Sequence, residues 1–172
     1  MTLAAVIVCW LAMAQGEVRI EHPNRDRPES RATRAVVVAL LLISDVLLVI
    51  VTVGGWEKIQ GAKSVQLAYI VVYALLAFHI ARWRRGLLPV AAAFAIILLI
   101  FAAISGPEWF TRDREGFANP PLDEGIIGLL TLILIPLQLL LIAFAARGFL
   151  QKWSVEVERR SGGSQPYVAQ PG

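Results

Sequence analysis

The chain has 172 residues, of which 57% are hydrophobic and 17% charged, against about 45–50% apolar and about 25% charged in ordinary soluble proteins. Its mean hydropathy is +0.65, and 16 Lys and Arg against 13 Asp and Glu leave a net charge of +3. A water-soluble core cannot absorb this apolar excess, the single Cys9 excludes an intramolecular disulfide or a cysteine-built zinc site, and the basic residues flank apolar runs, so they point to a membrane surface and not to nucleic acid.

Thr2 to Ala14 is apolar but short for a span, and Ala12-Met13-Ala14 before Gln15 resembles a signal-peptidase site. A cleaved signal would invert every later loop against the charge pattern described below, and the segment lacks the basic start that a secretory signal carries. Two readings remain: a short or tilted extra helix, which needs local thinning of the bilayer, or translation starting at Met13. Cys9 reads as a small buried hydrophobe. Residues 15–34 carry His22-Pro23-Asn24, Arg27-Pro28 and mixed charge without periodicity, and so read as a linker. Residues 1–34 are thus a short apolar segment followed by an Arg-rich linker.

Four apolar runs follow: Ala35 to Val53, Val65 to Ala81, Leu87 to Ser105 and Gly125 to Ala146. Each approaches the ~20 residues a helix needs to cross a bilayer core of about 30 Å. Short connections make sequential helices antiparallel, so the expected fold class is an all-α integral membrane protein, an up-down four-helix transmembrane bundle over residues 35–153. Lipid supplies little hydrophobic drive between helices, which leaves close approach at small residues to hold them. The pairs Ala77 with Ala81 and Ala91 with Ala95 have that spacing. Pro136 predicts a kink over residues 132–136.

Twelve of the 16 basic residues lie before the first run, between the second and third, or after the fourth; Lys58, Lys63, Arg112 and Arg114 lie in the alternate loops. The positive-inside rule then makes both flanks and the second loop cytoplasmic in a plasma membrane, and the short loops suit a bacterial one. Trp56, Trp83, Trp109 and Trp153 each fall just beyond a run, where an indole is expected in the headgroup layer. Arg82, Trp83, Arg84 and Arg85 are expected to contact lipid headgroups, each charge contributing about 1 kcal/mol near the surface.

Asp45 lies near the middle of the first run, where an ionised carboxylate costs on the order of 2.5–3.5 kcal/mol on the insertion scale. It is therefore expected to be protonated and hydrogen-bonded. At ~1.5 Å of rise per residue, Asp45 lies roughly 16 Å from the basic edge, Tyr73 and Gln138 each about 13 Å, and His79 only about 5 Å. Tyr73 and Gln138 are thus the expected partners of Asp45, with His79 reached through water. These four residues make an intramembrane polar site, read either as a path for protons or cations or as hydrogen bonds that fix helix register, typically about 0.6 kcal/mol each.

Gly106 to Glu124 is the longest outer connection. Trp109, Phe110, Arg112, Asp113, Arg114 and Phe117 there combine exposed aromatics with arginines in the manner of protein interfaces, and Asp123 is placed to cap the fourth helix. The carboxylates Glu108, Asp113, Glu115, Asp123 and Glu124 match no calcium-loop spacing. Trp153 to Glu158 alternates apolar and polar residues, either as an edge strand or as a frayed end of the fourth helix. Residues 154–172 form a cytoplasmic tail whose last part, 161–172, is expected to be disordered.

Phosphate-cradling glycine loops, zinc-protease helices, paired redox cysteines and nucleophile elbows are missing from the sequence, so neither an enzyme nor a cofactor is expected. A non-catalytic accessory, scaffold or assembly subunit of a larger plasma-membrane complex leads, bound to the bilayer and to a membrane-protein partner or further copies of itself. A small oligomeric proton- or cation-coupled transporter or channel centred on Asp45 is the alternative. A third idea places a lipid or quinone beside Tyr73, His79 and Arg82.

Overall fold

The computed structural model describes residues 18–21, 23–56, 59, 62–110, 122–153 and 155–160. The apolar segment at 2–14, Cys9 and the tail at 161–172 lie outside the described residues. In chain order the elements are β1 (Val18–Glu21), α1 (Pro23–Asp26), α2 (Pro28–Gly54), α3 (Lys63–Ala81), a 3-10 turn (Arg85–Leu87), α4 (Leu88–Trp109), α5 (Glu124–Leu150) and β2 (Val157–Arg160). The four long helices α2 to α5 are each long and apolar enough to cross a membrane.

The helices outrun the apolar runs at their ends. Pro28 opens α2 at a position where its missing N–H is no loss, with Glu29 in the first turn. Residues 28–34, read above as linker, are therefore helical, because Ser30 and Thr33 turn to the protein interior and satisfy the core with small side chains. Asp123 caps α5 as expected, its carboxylate accepting from the Gly125 N–H at 2.8 Å. α5 then runs through Pro136 as one helix to Leu150.

Buried positions recur at three and four residues: Val37, Leu41, Ser44, Leu48 and Val51 in α2, Leu88, Ala91, Ala95, Leu98 and Ala102 in α4, Thr131, Leu134, Gln138, Leu141 and Ala145 in α5. Such a repeat keeps one seam facing its neighbours along the whole helix. α2 packs against α3 and α5, and α5 against α4, whereas the sequential pair α3 and α4 barely touch. The spatial order is thus α3-α2-α5-α4, an open series of antiparallel neighbours. The α4–α5 contact is the most extensive. Small residues explain it: a Cβ on Gly106 would stand 2.6 Å from Leu132 Cδ2, and one on Gly128 would stand 2.8 Å from Phe110 Cε2 and 3.1 Å from Trp109 Cβ.

Contacts between helix ends fix the up-down order. Arg34 donates to the Ala81 carbonyl at 2.7 Å, Gln151 Nε2 to the Thr33 hydroxyl at 3.0 Å and Arg85 Nε to the Phe149 carbonyl at 2.9 Å. The start of α2, the end of α3, the 3-10 turn before α4 and the end of α5 therefore share one end of the bundle, the basic end. At the opposite end Val51, Ile59, Trp109 and Ile127 form a second cluster.

Two of the four tryptophans at the helix ends are packed against protein. Trp153 is 0% exposed, its ring 5.4 Å from that of Trp83, and Trp109 is 3% exposed. Trp56 is 43% exposed. Of the period-two stretch Trp153–Glu158 only the last two residues lie in a strand: β2 (Val157–Arg160) pairs antiparallel with β1, Val18 opposite Arg160 and Glu21 opposite Val157. The partner is the chain's own amino-terminal flank, outside the bundle.

Candidate functional site

A chain of three polar side chains crosses the bundle interior. The Tyr73 hydroxyl donates to Gln138 Oε1 at 2.9 Å, and Gln138 Nε2 donates to the Ser44 hydroxyl at 3.0 Å. All three are 0% exposed. They lie on α3, α5 and α2, so the two bonds tie the three helices at one level. The geometry suits register, since each group has a partner on another helix and all three are closed off from solvent.

Asp45 stands outside this cluster. The adjacent Ser44 occupies the inward position where Asp45 was expected, because one residue along a helix turns the side chain by about 100°. Asp45 is half-buried at the margin of α2, and its Oδ1 is buried without a hydrogen-bond partner among the described residues. The expected bonds from Tyr73 and Gln138 to Asp45 are therefore replaced by bonds from those residues to each other and to Ser44. His79, also half-buried, lies beside the basic end with its ring 5.3 Å from that of Phe78. The four residues of the expected polar site thus divide into one bonded pair and two separate groups.

Further out on α2, the Thr52 hydroxyl donates to the Leu48 carbonyl at 2.6 Å and lies 3.2 Å from Gln66 Oε1 on α3. Gln66 lines a cleft of about 490 Å³ between α3 and α4, at the end away from the arginines, together with Tyr69, Leu98, Phe101, Ser105 and Trp109. The cleft follows from the spatial order, since α3 and α4 are the pair that diverges. Ser44, Thr52 and Gln66 were not singled out from the sequence; for Ser44 the available signal was the three-and-four spacing of Ser30, Thr33, Val37, Leu41 and Ser44.

At the basic end Arg82 and Arg84 are exposed, while Trp83 and Arg85 are half-buried. Arg34 lies 4.2 Å from the Trp83 ring centre, Arg82 4.2 Å from that of Phe78 and Arg85 4.4 Å from that of Phe149. These cation–π contacts hold aromatic rings under the guanidinium groups. Trp83 therefore packs between Arg34 and Trp153.

The expected docking loop is divided. Trp109 is buried against the second cluster and is not available to a partner; Phe110 is exposed. Arg112, Asp113, Arg114 and Phe117 lie outside the described residues. Comparison of the chain with protein-family models, with characterised proteins and with solved structures returns no match.

Proposed function

We propose that this chain is a non-catalytic accessory, scaffold or assembly subunit of a larger plasma-membrane complex, with its basic flanks in the cytoplasm of a bacterium. The observation that carries this reading is the Asp45 carboxyl. It lies roughly 14 Å from the Gly54 end of α2, and its buried Oδ1 has no hydrogen-bond partner among the described residues. A polar group held in hydrocarbon without a partner is costly. Tyr73, Gln138 and Ser44 are already engaged with one another, so relief comes from outside the bundle. A hydroxyl, amide or basic side chain on a neighbouring transmembrane helix supplies it.

Substitution of Asp45 by Asn and by Leu tests the proposal, with mild-detergent affinity purification as the readout. Asn preserves hydrogen bonding and is expected to retain the same co-purifying membrane proteins as the wild type; Leu is expected to lose them while the bundle stays folded. Equal recovery with Leu, or a wild-type protein that purifies as solitary monomers, removes the reading.

The same carboxyl supports a second reading, a small oligomeric proton- or cation-coupled transporter centred on Asp45. The two diverge at Asn, which cannot exchange a proton: Asp45→Asn then abolishes a pH-dependent flux in proteoliposomes yet leaves assembly intact. Wild-type proteoliposomes without flux dispose of this alternative.

A further inference from the structure

The connection from α3 to α4 is folded back on itself in a way that an ordinary membrane loop does not require. The Arg82 and Arg84 N–H groups both donate to the His79 carbonyl, at 3.1 and 3.2 Å, and the Trp83 N–H donates to the Ile80 carbonyl at 2.9 Å. Trp83 takes a φ of 65°, the left-handed region that a bulky residue enters only when its surroundings impose it. Here the Trp83 ring is held by the Arg34 guanidinium on one side and the edge of Trp153 on the other. Arg85 fastens the next residues to α5, through its bond to the Phe149 carbonyl and its position over the Phe149 ring.

This fold-back borders an open basin of about 740 Å³ lined by His79, Trp83, Arg84, Arg85, Gly86, Leu87 and Phe149. Arg84, Arg85 and His79 contribute to its lining, and among the described residues no Asp or Glu does. A Cβ added to Gly86 would meet nothing within 4 Å, so the backbone there borders open space. The basin lies at the headgroup level, His79 being about 5 Å inward from the basic edge. Arg82 belongs to the same sequence run but stacks on Phe78 and does not line the basin.

We propose that this basin is a phosphate-binding site, and that its ligand is the phosphate of an anionic membrane lipid. Guanidinium groups match phosphate oxygens in charge and geometry, and basic pockets between transmembrane helices are recurrent seats for such headgroups. The site differs from a diffuse attraction of arginines for the bilayer in that Arg84 and Arg85 act and Arg82 does not. It is independent of the role of Asp45.

The experiment is native mass spectrometry of the full chain in mild detergent, with phosphatidylglycerol, phosphatidylcholine or inorganic phosphate added in separate arms. A retained phosphatidylglycerol adduct is expected, weakened about tenfold by Arg84→Gln and unchanged by Arg82→Gln, which removes the same charge. Gly86→Leu adds bulk to the basin's lining without altering charge, and is expected to weaken the adduct while leaving thermal stability in detergent intact. Displacement of the lipid by millimolar inorganic phosphate supports the phosphate site and assigns its ligand to solution. Equal weakening by Arg82→Gln and Arg84→Gln, or a Gly86→Leu variant that binds as well as the wild type, overturns the proposal.

Discussion

Gln138 is the residue on which the interior polar cluster depends, because it makes both of its bonds, accepting from Tyr73 and donating to Ser44. Tyr73→Phe removes one interhelical bond and is expected to lower stability by about 0.6 kcal/mol. Gln138→Leu removes both and strands the Tyr73 and Ser44 hydroxyls in the interior, so a larger loss is expected, about 1–3 kcal/mol. Unfolding in mixed detergent micelles with rising dodecyl sulfate measures the two; equal losses would mean that the cluster does not act through Gln138. The pairing of Tyr73 with Gln138 was accessible from the sequence as a matter of depth, since both lie about 13 Å from the basic edge. Direction was not accessible. Asp45 and Ser44 differ by one residue in depth but by about 100° around α2, and hydropathy assigns no direction when lipid and core are equally apolar.

The helices themselves were legible because an apolar run of bilayer length has few alternatives. Their ends and partners were less so. The third apolar run ends at Ser105, yet α4 continues to Trp109, since the indole gains a buried place beside Val51, Ile59 and Ile127. Pairing of α4 with α5 depends on the glycines at their crossing, and these differ in what surrounds them. At Gly106 an added methyl meets Leu132 Cδ2 at 2.6 Å and Cγ at 3.1 Å, in a flexible side chain that can turn aside. At Gly128 it meets the Phe110 ring and the Cβ of Trp109, and the latter is fixed to the backbone. Gly128→Val is accordingly expected to cost about 1–3 kcal/mol by overpacking, and Gly106→Ala less. The same micelle unfolding ranks them, and a Gly106→Ala variant as unstable as Gly128→Val would contradict the packing argument.

Pairing of β1 with β2 has a consequence for the whole molecule. Val18–Glu21 precedes the four long helices and Val157–Arg160 follows them, so hydrogen bonding between the two strands requires both flanks on one side of the bilayer. Four crossings meet that requirement and an odd number does not. Charge supplies the direction. Arg34, Arg82, Arg84, Arg85, Arg147 and Lys152 gather at or near the end that the strands occupy, while Lys63 beside the Trp56 ring is the only described Lys or Arg at the other. Translocating the former group opposes the positive-inside bias far more than translocating the latter. The basic end is therefore expected in the cytoplasm, and single cysteines in a Cys9→Ser background read this directly. Trp56 and Glu156 are both exposed and lie at opposite ends, so neither substitution disturbs the packed interior. A membrane-impermeant maleimide applied to intact cells is expected to label Trp56→Cys, and to label Glu156→Cys only after permeabilisation. Labelling of both in intact cells would break the link between paired strands and even crossings, because one flank would then have parted from the other. Labelling of Glu156→Cys alone would keep the bundle and reverse it, placing the arginines of the α3–α4 connection against the outer leaflet.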